Sequence, residues 1–286
     1  MLRQEARVLH QKRQYAVAAN TLKRAFALAT DDPQRAEIGL QMVRSLHAAH
    51  DYKAAYEVNL EVASLPQAES KQKILAWFLA ASAAEKIKDY ELAEKACAQI
   101  IKFPDSQQSD LHKAYLKQAN YHLKAGRYAE AQDATAKAMA LKTISASKQA
   151  DAITMLGNCL LAQKRYEDAR KTYLSLMEFD SVDPKVHTKA SLRIAHTYYE
   201  QGDYETARKL FEAVQKADAI SGKIMSEALL YEGFALMKAG EANEAAKCLE
   251  QVSHVKGSAR WHVKAATRKL DELNRASPMV EKQNAE

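Results

Sequence analysis

The side chains that could bind a metal or attack a substrate in this chain are chiefly nine histidines and three cysteines. His47 and His50 are the one close histidine pair at helical spacing. Histidine near a helix end is equally explained by a favourable interaction with the helix dipole. Cys97, Cys159 and Cys248 lack the spacing of a metal or redox motif, so they are interpreted as buried free thiols. The sequence therefore predicts no metal site and no cofactor.

Catalytic motifs are the next class of chemistry to consider. The sequence contains no glycine-rich phosphate loop, no Gly-x-Ser-x-Gly elbow and no His-Glu-x-x-His zinc motif. It has eight glycines in 286 residues, which leaves little loop in which to assemble a site from distant residues. We therefore predict that the protein is not an enzyme.

A repeated tyrosine indicates the elements that position these side chains. It occurs every 37 or 38 residues, and an alanine stands three residues after it. Self-similarity at a fixed period indicates stacked supersecondary units. Each unit is predicted to be two helices joined by a short turn, with an apolar stripe on each helix. The seven repeats are anchored at Tyr15, Tyr52, Tyr90, Tyr128, Tyr166, Tyr204 and, in the last unit, Ala242.

Glycines mark the turns and the end of the array. Gly126, Gly202 and Gly240 each stand two residues before an anchor, where a left-handed residue would end the first helix of a repeat. A capping helix is predicted at about 258–275, with Trp261 covering the last hairpin. Residues 277–286 are polar and aperiodic, which predicts a disordered tail.

The order small residue, four to six residues, Gly-Asp-Tyr, two residues, Ala, three residues, aromatic resembles the tetratricopeptide repeat, and its clearest copy contains Gly202–Asp203–Tyr204, Ala207 and Phe211. That family's period is usually 34 residues, and here each unit is four residues longer. The resemblance implies an all-α fold, a right-handed α-solenoid of about seven helix-turn-helix repeats plus the capping helix, within one domain over residues 1–276. It also implies a non-catalytic scaffold for protein–protein interaction.

In that family, partner segments commonly lie on the concave surface made by the first helices. We assign to this surface the residues that stand at the same offsets before the anchor in each repeat. Lys189 and Arg193 are added from the carboxylate clamp motif, which is described in the next paragraph. The predicted groove is basic in the first repeats and apolar in the later ones. Such a groove suits a peptide or helix with acidic residues at one end. The predicted groove residues are Arg3, Arg7, Leu40, Arg44, His47, Phe78, Leu116, Asn120, Asn158, Lys189, Leu192, Arg193, His196, Tyr199, Leu230 and Phe234.

Two alternatives remain open at this stage. The leucines of that set could pack between adjacent first helices instead of facing a ligand. The carboxylate clamp of some family members requires five polar donors, and this chain matches three, Asn120, Lys189 and Arg193. Leu116 and Met155 replace the other two, which argues against a terminal carboxylate as the ligand.

Charge and hydropathy limit the partners further. The net charge is +6, with a local +5 in residues 1–24 and +4 in residues 254–276. A nucleic-acid binder would carry a continuous basic stripe rather than basic ends, so nucleic acid is not expected. No apolar run is long enough for a transmembrane segment. The cysteines slightly favour a reducing, cytoplasmic compartment, and a periplasmic one is an alternative if a leader was removed.

The function hypothesis is thus a protein or peptide partner held by a scaffold, with self-association as a further use of apolar inner walls. One alternative is a bacterial envelope-assembly or periplasmic accessory protein, by analogy of the last two units with envelope modules. Another is the sensory or regulatory segment of a larger chain. The sequence leaves open the partner and the oligomeric state.

Overall fold

The computed structural model describes residues 1–142, 144–179, 183–218 and 220–283, with side chains described as far as Arg275. The chain forms two compact units, Met1–Ile144 and Ser145–Glu286. Across the described residues the secondary structure is helical, with fifteen α-helices and no strand. The all-α class and the repeating helical hairpins are as predicted. The assignment of residues 1–276 to one domain stays a prediction.

The first unit contains four helical hairpins, in which each odd-numbered helix packs against the helix that follows it. The first helices of the second, third and fourth hairpins have 17 residues, longer than their partners. The helices are α1 (Leu2–Gln11), α2 (Tyr15–Leu28), α3 (Asp32–Ala48), α4 (Tyr52–Ser64), α5 (Ser70–Lys86), α6 (Tyr90–Lys102), α7 (Gln108–Lys124) and α8 (Tyr128–Met139).

The second unit contains three hairpins of the same kind and a final helix that packs on the last of them. The second helix of the fifth repeat, α10, is followed directly by a short 3-10 helix, Ser175–Glu178. The α-helices are α9 (Ala146–Ala162), α10 (Tyr166–Leu174), α11 (Pro184–Gln201), α12 (Tyr204–Gln215), α13 (Gly222–Ala239), α14 (Ala242–His254) and α15 (Arg260–Gln283).

The turn inside every hairpin contains a left-handed residue two positions before the anchor. The glycines predicted for this position, Gly126, Gly202 and Gly240, have φ of 75°, 92° and 84°. The other four repeats use residues with side chains at the same position, and their φ values are 59° to 63°, at Arg13, His50, Lys88 and Lys164. The repeat therefore imposes one turn geometry whether or not glycine is present to accept it.

The alanine three residues after each anchor is buried in every hairpin. All seven alanines are fully shielded from solvent, at Ala18, Ala55, Ala93, Ala131, Ala169, Ala207 and Ala245. Larger side chains are buried as well, with Tyr121 and Ile100 in the first unit and Phe211 and Leu249 in the second. The repeated position is therefore a core position in each unit, and a small side chain there leaves little space to fill.

Carboxylates cap several of the helices. Asp183 accepts a hydrogen bond from the backbone N–H of Lys185 and precedes Pro184, the first residue of α11. At α3 the cap is Asp31, which accepts from Gln34 N at 2.8 Å, and not Asp32, the residue directly before Pro33. The Asp32 carboxylate instead accepts from Gln67 N at 2.9 Å and ties α3 to the next connection.

The C-terminal helix differs from its prediction in two ways. Trp261 does not cover the last hairpin, since 52% of its surface is exposed; the next residue, His262, is fully buried in its place. The helix also continues to Gln283, past the expected end near residue 275 and into the predicted disordered tail. Ala276, Met279, Glu281, Lys282 and Gln283 favour helix formation although the segment is mostly polar, so polarity alone does not predict its structure. Residues 284–286 of the predicted tail lie outside the described residues.

None of the helices in the described part of the chain has an apolar stretch that could cross a bilayer.

Candidate functional site

The sixteen residues predicted for a groove fall into three groups by exposure. Arg7, Arg44 and Lys189 are exposed. Nine others are partly buried: Arg3, Leu40, His47, Leu116, Asn120, Asn158, Arg193, Tyr199 and Phe234. The remaining four are buried, Phe78, Leu192, His196 and Leu230, with 7%, 1%, 5% and 0% of their surfaces exposed. For these four the packing alternative describes the side chain, because an enclosed residue cannot contact a ligand without rearrangement.

A cleft of about 790 Å³ lies along the first helices α1 and α3 of the first unit. It has room for several side chains of a peptide. Three of the predicted groove residues, Arg3, Arg7 and Arg44, line it together. Among the described residues that line it, none is acidic; the others are Met1, Gln4, Ala6, His10, Gln11, Leu22, Gln41 and Ser45.

The arginines of the cleft differ in how far they are neutralised. Arg3 forms an ion pair with Glu37 on α3. Arg7 and Arg44 form no ion pair with any residue in the described ranges, and both are exposed. At the side of the cleft, His10 Nδ1 and Ser45 Oγ share a hydrogen bond of 3.1 Å that joins the two helices. The cleft is thus a preformed concave surface with two uncompensated guanidinium groups, which suits an anionic ligand.

In the middle of the first unit, side chains of α5 make contacts within the protein, and one of them is the predicted groove residue Phe78. The Nζ atom of Lys113 lies 4.1 Å from the centre of the Phe78 ring, which covers that side chain with a cation. The carboxylate of Glu85 accepts from Lys124. Burial alone would raise the pKa of Glu85, but the hydrogen bond and charge of Lys124 hold it below its ordinary value. These contacts link α5 to α7 and leave less free charge than in the cleft.

In the second unit, His196 belongs to a buried polar cluster rather than to a groove lining. Its Nε2 atom lies 3.1 Å from Glu227 Oε1, and Arg193 Nη1 lies 3.2 Å from the same oxygen. Burial lowers the pKa of His196, so the imidazole is neutral at pH 7 and donates Nε2–H to the carboxylate. Burial would raise the pKa of Glu227, but the hydrogen bond from His196 and the charge of Arg193 bring it to about 2.

Glu227 is the member of this cluster that sequence reasoning missed. It lies on the first helix of the next repeat, 34 residues after Arg193. The only signal in the sequence was a carboxylate within an otherwise apolar segment of α13, since Ala228, Leu229 and Leu230 follow it. An isolated acidic residue on a buried face needs a cation, and the neighbouring repeat supplies one.

The partial match to a carboxylate clamp contains one residue that is already paired. Arg193 forms an ion pair with Glu227. Asn120 is partly buried on α7. Of the three matching residues, Lys189 alone is exposed, and it forms no ion pair with a described residue. The structure therefore gives the clamp interpretation no further support.

The histidines near the hairpin turns contact the anchor tyrosines. The ring centres of His10 and Tyr15 lie 4.9 Å apart, and those of His47 and Tyr52 lie 5.4 Å apart, both edge to face. His50 Nδ1 and the Tyr52 hydroxyl share a hydrogen bond of 2.8 Å. Over the described residues, no group of three or more histidine, cysteine, aspartate or glutamate side chains is placed to hold a metal ion. Each of these three histidines thus contacts the tyrosine that follows its own turn.

The thiols are placed as packing side chains. Cys97 and Cys159 are buried and Cys248 is partly buried, and none of the three forms a disulfide with a described residue. Burial raises the pKa of Cys97 and of Cys248 to about 12. Because the thiolate is the reactive form, neither of these two groups is poised for nucleophilic chemistry at neutral pH.

Stacked helical hairpins are the architecture of α-solenoids, a fold class of interaction scaffolds. Sequence profiles of the tetratricopeptide repeat match residues 122–191 and 192–259. Residues 122–259 are thus matched as tetratricopeptide repeats. No curated protein matches it. The fold and the family are typically those of non-catalytic scaffolds that bind protein partners.

Solved structures of low sequence identity share the fold. A tetratricopeptide repeat protein from Parabacteroides merdae is 13% identical over 93% of this chain and 96% of its own, with a TM-score of 0.65. The C-terminal part of a repeat-containing protein from Cytophaga hutchinsonii is 15% identical, covering 92% and 98%, with a TM-score of 0.53. PilW, a type IV pilus biogenesis factor, is 17% identical, covering 77% and 92%, with a TM-score of 0.54. At these identities the likeness concerns the fold alone.

Proposed function

We propose that this protein is a non-catalytic scaffold that binds an acidic peptide or helix of a partner protein in the cleft between α1 and α3. The observation that carries the proposal is the pair of exposed arginines, Arg7 and Arg44, which line a preformed cleft without a carboxylate partner among the described residues. Uncompensated guanidinium groups in a concave site favour a ligand that brings its own carboxylates.

The lining of the cleft also indicates the shape of the ligand. Ala6, Leu22 and Ser45 are buried at the floor of the cleft, while the glutamines of the lining can both donate and accept hydrogen bonds. A ligand would therefore place acidic side chains towards Arg7 and Arg44 and polar groups towards the glutamines. This is the pattern of a short linear segment whose few anchors are read by a helical surface.

The test is a peptide-display selection against the whole chain, followed by a binding titration with the synthesised consensus peptide. We expect Asp or Glu to be enriched at two or more positions. We expect Arg7→Glu and Arg44→Glu each to weaken binding by roughly tenfold or more, since each reverses a charge at a contact. Raising the salt concentration should weaken binding to the wild type as well.

The matched control is Lys53→Glu, which makes the same charge change at an exposed residue of α4, the second helix of its hairpin. All three variants must keep the wild-type helical circular dichroism signal. Selection of peptides without acidic residues, or equal binding by the wild type and both arginine variants, would contradict the proposal.

The two alternatives from the sequence stay hypotheses. The envelope-assembly alternative receives a fold likeness to PilW, which by itself does not transfer a role. The hypothesis of a regulatory segment would need an output domain in a longer chain. Neither has an observation in the described residues comparable with the basic cleft of the first unit.

A further inference from the structure

A second surface in the chain is unexplained by the cleft, and it centres on Trp261 at the start of α15. The indole is 52% exposed. Its ring centre lies 4.0 Å from that of His262, which is fully buried and shares a hydrogen bond of 2.7 Å with Ser226 of α13. The tryptophan is therefore held at its base by a buried neighbour while much of its ring points to solvent.

Four exposed cations accompany the indole: Lys223, Lys256, Arg260 and Lys264. None of them forms an ion pair with a residue that the structure describes. We call these four residues and Trp261 the Trp261 patch. Arg260 and Lys264 are one helical turn apart, and Lys264 is three residues after Trp261, on the same face of α15.

Packing brings the two lysines from other elements to the same place. A β-carbon on Gly222 would lie 1.9 Å from the backbone oxygen of Lys256, so the start of α13 and the turn before α15 are in direct contact. Lys223 follows Gly222 directly. Burial lowers the pKa of His262, and the charge of Glu227 raises it while the charge of Lys223 lowers it.

We propose that the Trp261 patch binds the surface of a bilayer that contains anionic phospholipids. Tryptophan is the side chain that settles best at the level of lipid headgroups, since its apolar ring and its N–H meet both environments. Each lysine or arginine near an anionic leaflet adds to the attraction. A protruding indole surrounded by uncompensated cations provides both contributions at one point of the fold.

The composition of the patch favours a lipid surface over the other anionic partners. Arginine is enriched and lysine depleted in protein–protein interfaces, whereas three of these four cations are lysines. Single-stranded nucleic acid is usually bound by several aromatic rings along a groove that follows the backbone, and here one ring stands on a terminal helix. A diffuse cluster of point charges is sufficient for a fluid anionic layer, because the headgroups can rearrange around it.

The chain has two tryptophans, so one substitution makes the patch its own reporter. Trp77 is partly buried and packs against Phe103 with ring centres 5.0 Å apart. The Trp77→Phe variant of the whole chain leaves Trp261 as the sole indole. We expect its emission to shift to shorter wavelength on addition of phosphatidylcholine vesicles containing phosphatidylglycerol, and to stay unchanged with phosphatidylcholine alone.

Sedimentation of the unmodified protein with the same vesicles gives an independent measurement. We expect the combined Lys256→Gln, Arg260→Gln and Lys264→Gln variant to lose binding by roughly a hundredfold. We expect Trp261→Ser to weaken it as well. The matched control changes three exposed lysines elsewhere in the second unit, Lys171, Lys185 and Lys216, to glutamine and should bind like the wild type.

Three outcomes would overturn the proposal. The first is no sedimentation and no emission shift with anionic vesicles. The second is equal loss of binding in the patch variant and the control variant, which would assign the effect to net charge. The third is a response of Trp261 to a single-stranded oligonucleotide or an acidic peptide without a response to anionic vesicles. The proposal does not depend on the cleft, since Arg7 and Arg44 lie in the other unit.

Discussion

The ring of Tyr173 on α10 lies against the α-carbon of Gly157 on α9. A β-carbon at Gly157 would come within 2.3 Å of the Tyr173 ring atom Cε1. Both residues are buried, and the tyrosine hydroxyl donates a hydrogen bond of 2.8 Å to Asn158 Oδ1. This contact sets the approach of the two helices of the fifth repeat. It also engages the side-chain oxygen of Asn158, one of the predicted groove residues.

Replacement of Gly157 by alanine should therefore destabilise the protein. Glycine to alanine in a helix ordinarily gains about 1 kcal/mol, but here the added methyl group would overpack the hairpin at a larger cost. We expect a net loss of roughly 1–2 kcal/mol in the free energy of unfolding, measured by urea denaturation. Adding Tyr173→Leu to Gly157→Ala should recover part of that loss relative to the sum of the single variants. A gain in stability from Gly157→Ala alone would contradict the close contact.

Replacing a left-handed turn residue by glycine should raise the free energy of unfolding. Lys88 has φ of 63°, a conformation that costs a residue with a side chain about 1–2 kcal/mol. After allowance for the greater freedom of glycine in the unfolded chain, Lys88→Gly should raise the free energy of unfolding by up to about 1 kcal/mol. The control is Gln99→Gly at an exposed interior position of α6, which should lower it by about 1 kcal/mol. Equal losses in both variants would refute the turn argument.

The buried cluster around Glu227 predicts a stability that falls in acid. The pKa of Glu227 is lowered to about 2 from 4.5, so its contribution is complete above pH 4.5 and is lost as the pH falls towards 2. The pKa of His196 is also lowered, so the unfolded histidine takes up a proton first and stability begins to fall below pH 6.5. The contribution of Glu227 at neutral pH is on the order of 3 kcal/mol.

Chemical denaturation between pH 8 and pH 3 checks this prediction. Glu227→Gln should reduce stability at pH 7 and should also flatten the pH dependence below 4.5, because the titrating carboxylate is gone. Glu244→Gln, at an exposed position of α14, should leave the profile close to that of the wild type. If the two variants have the same pH profile, Glu227 is not the group responsible.

The predicted groove residues should separate experimentally into packing and surface classes. Leu192 is 1% exposed and belongs to a cluster with Phe211 and Val214, so Leu192→Ala should cost roughly 2–5 kcal/mol. Arg44 is exposed and unpaired among the described residues, so Arg44→Ala should stay within about 0.5 kcal/mol of the wild type. Thermal or urea unfolding of the two variants measures both values. A loss in Arg44→Ala as large as in Leu192→Ala would remove Arg44 from the cleft surface.

Much of the fold was predictable because the same sequence pattern occurs seven times. The anchor positions, the buried alanines and the helical hairpins follow from spacing alone, since a residue in every unit at the same offset meets the same surroundings. The turns were predicted only where glycine occupies them. The same turn geometry was not predicted at Arg13, His50, Lys88 and Lys164, because arginine, histidine and lysine do not indicate a positive φ in a sequence.

The site was less predictable, for reasons visible in particular residues. Arg3, Arg7 and Arg44, which were assigned to a groove by their offsets from the anchors, line one cleft, and their role in binding stays a prediction. His196 and Leu230 satisfy the same rule but are enclosed by the next helix. Trp261 and His262 show the reverse error, since the larger ring was expected to be covered and the smaller one is. Which of two adjacent residues faces inward depends on the rotation of the helix about its axis, and a period does not fix that rotation.

The sequence by itself determined the helical class, the number of hairpins, the repeated alanine that is buried in each of them and the excess of positive charge in residues 1–24. These depend on local propensity and on repetition, which are properties of the chain before it folds. Only the tertiary structure decided which cations keep their charge free. Glu37 pairs with Arg3 and Glu227 pairs with Arg193, each from the next first helix and 34 residues away, while Arg7 and Arg44 remain without such partners in the described part of the chain. Electrostatic pairing depends on distances of a few ångströms between side chains of different helices, and packing alone sets those distances.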